Sequence, residues 1–267
     1  MTALLIAFGF GLAIIAWLVA GPWWRRRARA RLAADPLPPD WRRELERWPL
    51  YARVPAEFRP RLDGLVKIFL AEKEFVGCGG LEITDPIRLA IAVQACLLVL
   101  NRDEHVFDEL HSILVYPDEF VVPETWDEDG VVTEGERVLA GQAWDTSRII
   151  LSWRDVAESG DGYNVVIHEF AHYLDEESGG INGAPRLATD ADHERWAAVM
   201  QQAFDELQAR AEAGEETLLD PYGAEDEAEF FAVATETFFE LPRELRDEHP
   251  ELYAELKACY RLDPAEW

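Results

Sequence analysis

Apolar positions recur with helical spacing along most of the chain and with strand spacing in one region. The stretches Leu62 to Phe75 and Ile87 to Leu100 predict two helices. From Asn164 onward the pattern is mostly helical, with a long amphipathic piece from Glu194 to Ala213. Between residues 113 and 153, runs of β-branched and aromatic residues predict strands instead. Helices flanking a small central sheet predict a mostly helical α+β fold.

The first apolar run, Ala3 to Trp24, is long enough to cross a bilayer as one helix. It ends in Trp23 and Trp24, which suit a membrane interface, and an arginine-rich segment follows from Arg25 to Arg31. A secretory signal peptide would carry its positive charge before the apolar part instead. The arginines should remain in the cytoplasm, so we expect a single-pass protein of the cytoplasmic membrane whose main domain faces the cytoplasm.

These patterns divide the chain into three parts. Residues 1–24 form the predicted transmembrane anchor, and residues 25–40 form a basic juxtamembrane segment with a proline-rich linker. Residues 41–267 are long enough for one domain with a sizeable core.

Composition narrows the partners and the compartment. A net charge of -27 disfavours a phosphate-backbone partner, so we expect no nucleic acid despite the arginine segment. The three cysteines (Cys78, Cys96 and Cys259) are an odd number without metal-like spacing. This usage fits reduced thiols in a reducing compartment.

The candidate chemistry lies in His168-Glu-Phe-Ala-His172, an H-E-x-x-H pattern within an apolar helical stretch. Histidines four residues apart share one face of a helix, so His168 and His172 can bind one metal ion. Glu169 points toward the same cleft and suits a general base acting on a metal-activated water. The alternative is a core helix in which the two histidines are spaced by chance.

A catalytic zinc usually has three protein ligands, so a third ligand is needed. Glu229 is the preferred candidate because it stands beside the apolar face of a predicted helix, where an unpaired carboxylate would be costly. Spacing alone leaves Glu225 and Glu236 open. Glu236 lies two turns after Glu229 and could instead accept a hydrogen bond from a ligand histidine. His193, in an acidic stretch, is better interpreted as a solvated residue at a helix start.

Two further sites have open alternatives. Asp175 shares the face of the histidines and could orient a ligand imidazole, or it could simply end the helix. The strand residues Ile150, Leu151 and Ser152 could pair with an extended peptide if their strand lies at a sheet edge. A core strand without substrate contact is the equal alternative.

Three motifs resemble those of the Mlc titration factor A peptidases, a zinc metallopeptidase family distantly similar to the catalytic domain of anthrax lethal factor. They are His168 to His172 with the following Leu-Asp, Tyr222 placed seven residues before Glu229, and the upstream segments 81–98 and 141–153. The resemblance implies a zincin-like fold. It also implies that His168, His172 and Glu229 bind one Zn²⁺ per chain, that Glu169 is the base, and that Tyr222 lies over the metal. By its residues alone, Asp-Pro-Tyr-Gly is a turn before a helix.

We therefore expect a membrane-anchored zinc peptidase, with an aminopeptidase as one option, that hydrolyses a peptide or protein substrate. The alternative is a regulatory protein that binds and sequesters a cytoplasmic transcriptional regulator, with cleavage secondary. A purely structural zinc is disfavoured because such sites are normally closed by four ligands.

Overall fold

The computed structural model describes residues 20–102, 106–118, 120–128, 131–139, 141–145, 147–177 and 179–267, of which 120–145 are described by their backbone. Eleven α-helices occur in this described part of the chain. They are α1 (residues 20–34), α2 (Pro39–Leu45), α3 (Pro49–Arg53), α4 (Arg59–Glu72), α5 (Asp85–Leu98), α6 (Trp153–Ala157), α7 (Val165–Glu176), α8 (Asp190–Glu212), α9 (Glu227–Glu240), α10 (Pro242–Glu248) and α11 (Pro250–Tyr260). Short 3₁₀ helices lie at Pro221–Ala224 and Pro264–Glu266.

The strands form one small sheet and one separate hairpin. They are β1 (Glu74–Gly77), β2 (Ser112–Tyr116), β3 (Phe120–Glu128), β4 (Val131–Leu139), β5 (Gly141–Asp145) and β6 (Arg148–Ser152). The four-stranded sheet has the order β1-β2-β6-β5. β1, β2 and β6 are parallel, with Phe75 opposite Ile113 and Ile113 opposite Ile149, whereas β5 is antiparallel to β6. β3 and β4 pair only with each other in the described residues.

Helix α5 lies at the centre of the fold because it is apolar on nearly all sides. Eleven of its fourteen residues are buried, as expected for a helix without a polar stripe. It packs against α4 and α7, and α7 packs in turn against α9 and the β5 edge of the sheet. The helix that carries the H-E-x-x-H pattern is thereby enclosed from several directions.

An aromatic cluster fixes α7 to α4. Phe69 of α4 lies 5.8 Å from Phe170 of α7 and 6.1 Å from Phe107, measured between ring centroids. Phe107 is also 4.7 Å from Phe170 and 5.2 Å from Tyr173. Edge-on rings at these distances add to the stabilisation from area burial alone, so the back of α7 is held rigidly.

The expected mostly helical α+β architecture is confirmed, with several element boundaries different. Phe75 belongs to β1 and not to the preceding helix, which ends at Glu72. The predicted helix from Ile87 and the long helix near Glu194 correspond to α5 and α8.

The idea that Ile150, Leu151 and Ser152 form an edge strand is wrong. Their strand, β6, is paired with β2 on one side and with β5 on the other. Its backbone hydrogen-bonding groups are therefore already used, and the three side chains are buried. A peptide cannot add to a strand whose two edges are both occupied.

The predicted membrane span, residues 3–24, lies mostly outside the described residues. No helix within the described residues is long and apolar enough to cross a bilayer. The anchor and the domain boundaries stay predictions.

Truncating the aromatic cluster should destabilise the fold. We expect Phe69→Ala to lower the free energy of unfolding by about 3–5 kcal/mol, because Phe69 is fully buried and its removal leaves a cavity. Chemical denaturation followed by circular dichroism measures this loss. Leu65→Ala, at a half-buried position of the same helix, should cost clearly less, and equal losses would contradict the role of the cluster.

Candidate metal centre

Helix α7 presents two histidines side by side. The Nε2 atoms of His168 and His172 are 3.1 Å apart, and the rings meet edge-on with their centroids 4.7 Å apart. Each side chain is 12% exposed. Asn164 is the N-cap of this helix. Its side-chain oxygen accepts a hydrogen bond from the backbone N–H of Ile167, which stabilises the first turn.

Helix α9 brings Glu229 to this pair. Glu229 Oε2 lies 3.0 Å from His168 Nε2 and 3.5 Å from His172 Nε2. Asp226 caps the helix by accepting hydrogen bonds from the backbone N–H groups of Ala228 and Glu229. The third predicted ligand is therefore adjacent to the first two, although it is about sixty residues away in the chain.

The three side chains fit a metal ion. Bonds of about 2.0–2.1 Å in a tetrahedron separate neighbouring ligand atoms by about 3.3–3.4 Å, close to the three separations found here. Glu229 Oε2 is buried without a hydrogen-bond partner among the described residues, which is costly unless a cation or proton is near. In the described residues this is the one group of three or more His, Cys, Asp or Glu side chains spaced for a metal.

Glu236 fixes the orientation of His168. Its Oε1 lies 2.8 Å from His168 Nδ1, and its Oε2 accepts a hydrogen bond from the backbone N–H of Asn164. An Nδ1–H that donates to Glu236 leaves the Nε2 lone pair directed at Glu229 and His172, which is the tautomer that a metal ligand needs. Of the two predicted places for Glu236, the structure shows the one in which it contacts a histidine of the H-E-x-x-H pattern.

Charge is strongly coupled across the cluster. Burial disfavours the charged ring of His168, but the adjacent carboxylates of Glu229 and Glu236 outweigh it and raise its pKa well above the ordinary value. Burial also opposes ionisation of Glu229, yet the two imidazoles lower the pKa of its carboxyl. Burial raises the pKa of Glu236. An anionic Glu229 thus faces two ring nitrogens, and protons and a metal ion compete for these nitrogens.

Glu169 lies next to His168 and is 5% exposed. Burial raises the pKa of its carboxyl, and the nearby histidines oppose that rise. A carboxyl with a raised pKa holds a transferred proton more readily than an exposed glutamate does.

Tyr222 also reaches the cluster. Its ring centroid is 6.0 Å from that of His168, and the residue is 37% exposed. Asp220 accepts a hydrogen bond from the backbone N–H of Tyr222, and Gly223 lies so close to Leu207 and Val233 that a side-chain carbon there would be 3.2–3.3 Å from them. The turn expected from Asp-Pro-Tyr-Gly is therefore the element that holds Tyr222 beside the histidine.

Asp175 does not orient a ligand imidazole. Its carboxylate accepts hydrogen bonds from three backbone N–H groups, those of Asn182, Gly183 and Ala184, at 2.6–2.9 Å. The prediction that it contacts a ligand histidine is wrong, because both oxygens are used by the loop after α7. His172 Nδ1 is buried without a partner among the described residues.

The loop held by Asp175 supports the helix that carries Glu229. Trp196 of α8 donates its indole N–H to the Gly183 carbonyl. A side-chain carbon at Gly183 would be 2.3 Å from the carbonyl oxygen of Glu227, and its φ is +71°. The loop therefore rests directly against the first turn of α9.

Two predicted alternatives lie elsewhere. His193 is exposed near the start of α8, where its Nδ1 is 2.9 Å from the Thr189 carbonyl oxygen. Glu225 is exposed and precedes α9. Neither belongs to the metal-spaced cluster.

A polar network behind His168 was not predicted. The Asn164 side-chain amide donates to Gln94 Oε1 at 2.6 Å and to Glu240 Oε1 at 2.7 Å. Arg53 lies 3.6 Å from Glu240 and donates to the carbonyls at the end of α9. An asparagine before an apolar run signals a helix start, but its contacts with α5 and α9 have no counterpart in local sequence.

The fold and this cluster together are those expected of a metallopeptidase domain. Residues 22–261 match the family described as glucose-regulated metallo-peptidase M90. The chain belongs to this family of metallopeptidases.

Its relatives agree with this assignment. It is 41% identical over 260 residues to an uncharacterised protein of Synechocystis, covering 95% of this chain and 94% of the relative. It is 38% identical to Mlc titration factor A of Pectobacterium atrosepticum over 82% of this chain and 87% of that protein. Mlc titration factor A of Yersinia enterocolitica is 34% identical, with 94% and 92% covered. The resemblance to the Mlc titration factor A family is confirmed.

Removing the side-chain N–H donors of Asn164 should weaken metal binding without removing the helix cap. In Asn164→Asp the side chain still accepts a hydrogen bond from the backbone N–H of Ile167. It also places a carboxylate against Gln94 and Glu240. With Zn²⁺ as the probe, we expect affinity to fall roughly 10–100-fold, as for other groups behind a metal ligand. Competition with a chromophoric chelator measures the change.

The matched control is Thr189→Ala, which removes the cap of α8. It should cost about 1 kcal/mol of stability and leave Zn²⁺ affinity unchanged. Equal losses of affinity in the two variants would show that Asn164 acts through general stability alone.

Metal binding should release a proton at neutral pH. The folded pKa of His168 lies above the unfolded value of about 6.5. Its stabilising contribution to chelator-treated protein is therefore present below about pH 6.5 and is lost as pH rises through the folded pKa. Because Zn²⁺ must displace this proton, its affinity should increase with pH over that same interval.

Calorimetry in two buffers of different ionisation enthalpy measures the released proton. His193→Ala, at an exposed position away from the cluster, should release as much as the parent protein. A binding enthalpy independent of buffer would contradict the prediction.

Proposed function

We propose that this metallopeptidase uses one Zn²⁺ per chain, held by His168, His172 and Glu229 in a zincin-like domain, to hydrolyse peptide bonds. The observation that carries the proposal is the triangle of ligand atoms, 3.0, 3.1 and 3.5 Å on its sides. Two imidazoles and one carboxylate are a donor set of catalytic zinc in peptidases. Only three such ligands converge among the described residues, whereas a structural zinc is normally closed by four.

A bound zinc would polarise the peptide carbonyl and lower the pKa of its water to about 7. Glu169 accepts the proton of the attacking water and later passes it to the leaving amine. Its burial supports this role, because the raised pKa lets the carboxyl hold the proton between the two steps.

The hydroxyl of Tyr222 donates a hydrogen bond to the carbonyl oxygen on which negative charge develops. Its position beside His168 and its exposed fraction of 37% support this role. A preorganised donor of this kind contributes roughly 2.7–4 kcal/mol to the stabilisation of a transition state.

Glu236 and Asn164 take no part in proton transfer. Glu236 keeps the ring of His168 in one orientation through Nδ1, and Asn164 holds Glu236 through its backbone N–H. A ligand fixed in this way loses little entropy when the metal binds.

A membrane location is part of the proposal. The apolar run from residue 3 to residue 24 and the arginines after it favour a single-pass anchor with the domain in the cytoplasm. Peptides or exposed protein segments on that side are then the substrates.

A second function, binding of a cytoplasmic regulator, is favoured by one observation. Two of the relatives carry the name Mlc titration factor A, which describes the titration of another protein. A chain of the same family can sequester a regulator through its surface while hydrolysis is secondary.

Replacing the base should separate chemistry from metal binding. We expect Glu169→Gln to lower kcat for a fluorogenic peptide about 10²–10⁴-fold, since general-base catalysis contributes that much. Its zinc content should stay at one per chain, because the three ligands are intact. Peptide turnover and elemental analysis of the same preparation provide both measurements.

Glu176→Gln is the matched control, because it removes a carboxylate from the last turn of the same helix that is not part of the metal-spaced cluster. It should keep full activity. If Glu169→Gln hydrolyses peptides as fast as the parent, the catalytic proposal fails. If it loses hydrolysis but keeps the cellular phenotype, regulator binding is the physiological role.

A further inference from the structure

Helix α1 continues from the end of the predicted anchor onto the surface of the peptidase domain. Residues 22–28 are helical and exposed on every side. Trp23 is 54% exposed and Trp24 is 60% exposed. The Arg27 guanidinium lies 5.5 Å from the Trp23 ring centroid. An exposed helical segment with indole rings at one level and arginines at the next suits the boundary between lipid and water.

The same helix is fastened to the domain one turn further on. Arg29 makes a bidentate contact with Glu72 at 2.8 and 2.6 Å, and a further contact of 2.5 Å with Asp108. Its side chain is only 13% exposed. Forked guanidinium–carboxylate pairs of low exposure fix geometry far better than single surface pairs do.

A second fastening holds the carboxyl end of α1. Lys67 donates to the carbonyls of Ala33 and Asp35, which belong to the last turn and its end. Gly64 of α4 is so close to Ala33 that a side-chain carbon would be 3.1 Å from the Ala33 Cβ. Leu37, in the proline-rich segment, is buried. Residues 29–37 therefore belong to the domain surface.

The spacing along α1 sets the height of the domain above a membrane. Trp24 and Arg29 are five residues apart, which is about 7.5 Å along a helix. If the indole rings lie at the interface, the domain begins within the headgroup layer and no free tether separates the membrane from the domain.

Charge selects the lipid. The chain carries -27 in total, so most of its surface repels an anionic leaflet. Arg25, Arg26 and Arg27 form the exposed basic collar at the headgroup level, and clusters of this kind attract acidic lipid.

We infer that α1 is a rigid mount that binds anionic headgroups through Arg25, Arg26 and Arg27 and holds the peptidase domain against the membrane in one orientation. This inference rests on the membrane location proposed above and adds the lipid contact and the fixed attachment. The membrane-proximal side of the domain is then the side of Glu72 and Asp108.

Fluorescence energy transfer from the domain to the bilayer tests the mount. The full-length chain carries Cys78→Ser and one dye at Glu206→Cys, an exposed position on α8, and is assembled into nanodiscs with acceptor-labelled lipid. The parent should give one narrow distribution of heights. Arg29→Gln removes the cation that joins α1 to Glu72 and Asp108, so the distribution of heights should widen.

Arg31→Gln is the matched control, because it removes the same charge from an exposed position of the same helix. It should behave as the parent does. A broad distribution in the parent, or identical distributions in Arg29→Gln and Arg31→Gln, would overturn the rigid mount.

Retained lipid tests the collar. Nanodiscs made from phosphatidylcholine and phosphatidylglycerol are extracted, and the lipid that remains with the protein is quantified by mass spectrometry. The parent should be enriched in phosphatidylglycerol, and the triple variant Arg25→Gln, Arg26→Gln, Arg27→Gln should fall to the bulk composition. The triple variant Arg42→Gln, Arg43→Gln, Arg47→Gln, which removes equal charge from α2 and the residues after it, should keep the enrichment.

No enrichment in the parent, or equal enrichment in both triple variants, would overturn the lipid contact. A full-length chain that never enters nanodiscs refutes membrane attachment itself. The zinc content and peptide turnover of that same preparation then show whether the peptidase proposal stands, so the two failures are distinguishable.

Discussion

The packing of α7 against α9 is the constraint on which the site depends. α7 supplies two imidazoles and α9 supplies two carboxylates, Glu229 on one side of His168 and Glu236 on the other. One ring therefore touches both acids through its two nitrogens. A small rotation of either helix would separate His168 from one of these acids, so the geometry of the cluster and the helix packing cannot change independently.

The surrounding fold holds this pair from several sides. The aromatic cluster around Phe170 fixes the back of α7, and the network from Asn164 fixes its first turn to α5 and to the end of α9. Every polar group of Asn164 that is buried has a partner, which a core of low dielectric requires. The cluster of ionisable groups is thus embedded in a rigid apolar frame.

Local patterns in the sequence were sufficient for the mostly helical α+β class and for the H-E-x-x-H pattern, and they favoured Glu229 without excluding Glu225 or Glu236. Helical spacing identified α5 and α7 because the apolar side chains repeat within a single element. The position of β6 within the sheet could not be predicted from the sequence. An apolar strand has the same residue pattern at the edge and in the middle of a sheet.

The partner of Asp175 was missed for a similar reason. Its carboxylate binds backbone N–H groups of a loop, and backbone groups leave no signature in residue identity. The resemblance to a known family placed Tyr222, whereas its own residues indicated only a turn. Local sequence patterns could not predict contacts between elements that are distant in the chain, such as the contact of Asn164 with Gln94.

Gly183 lies outside the metal-spaced cluster, yet few substitutions can be tolerated there. Its left-handed backbone and its contact with the Glu227 carbonyl leave no space for even a methyl group. Neighbouring loop positions point to solvent, as exposed Ile181 does, and can vary freely. A screen of random substitutions should therefore find one intolerant glycine in a permissive loop, because any side chain there would displace the helix turn that carries Glu229.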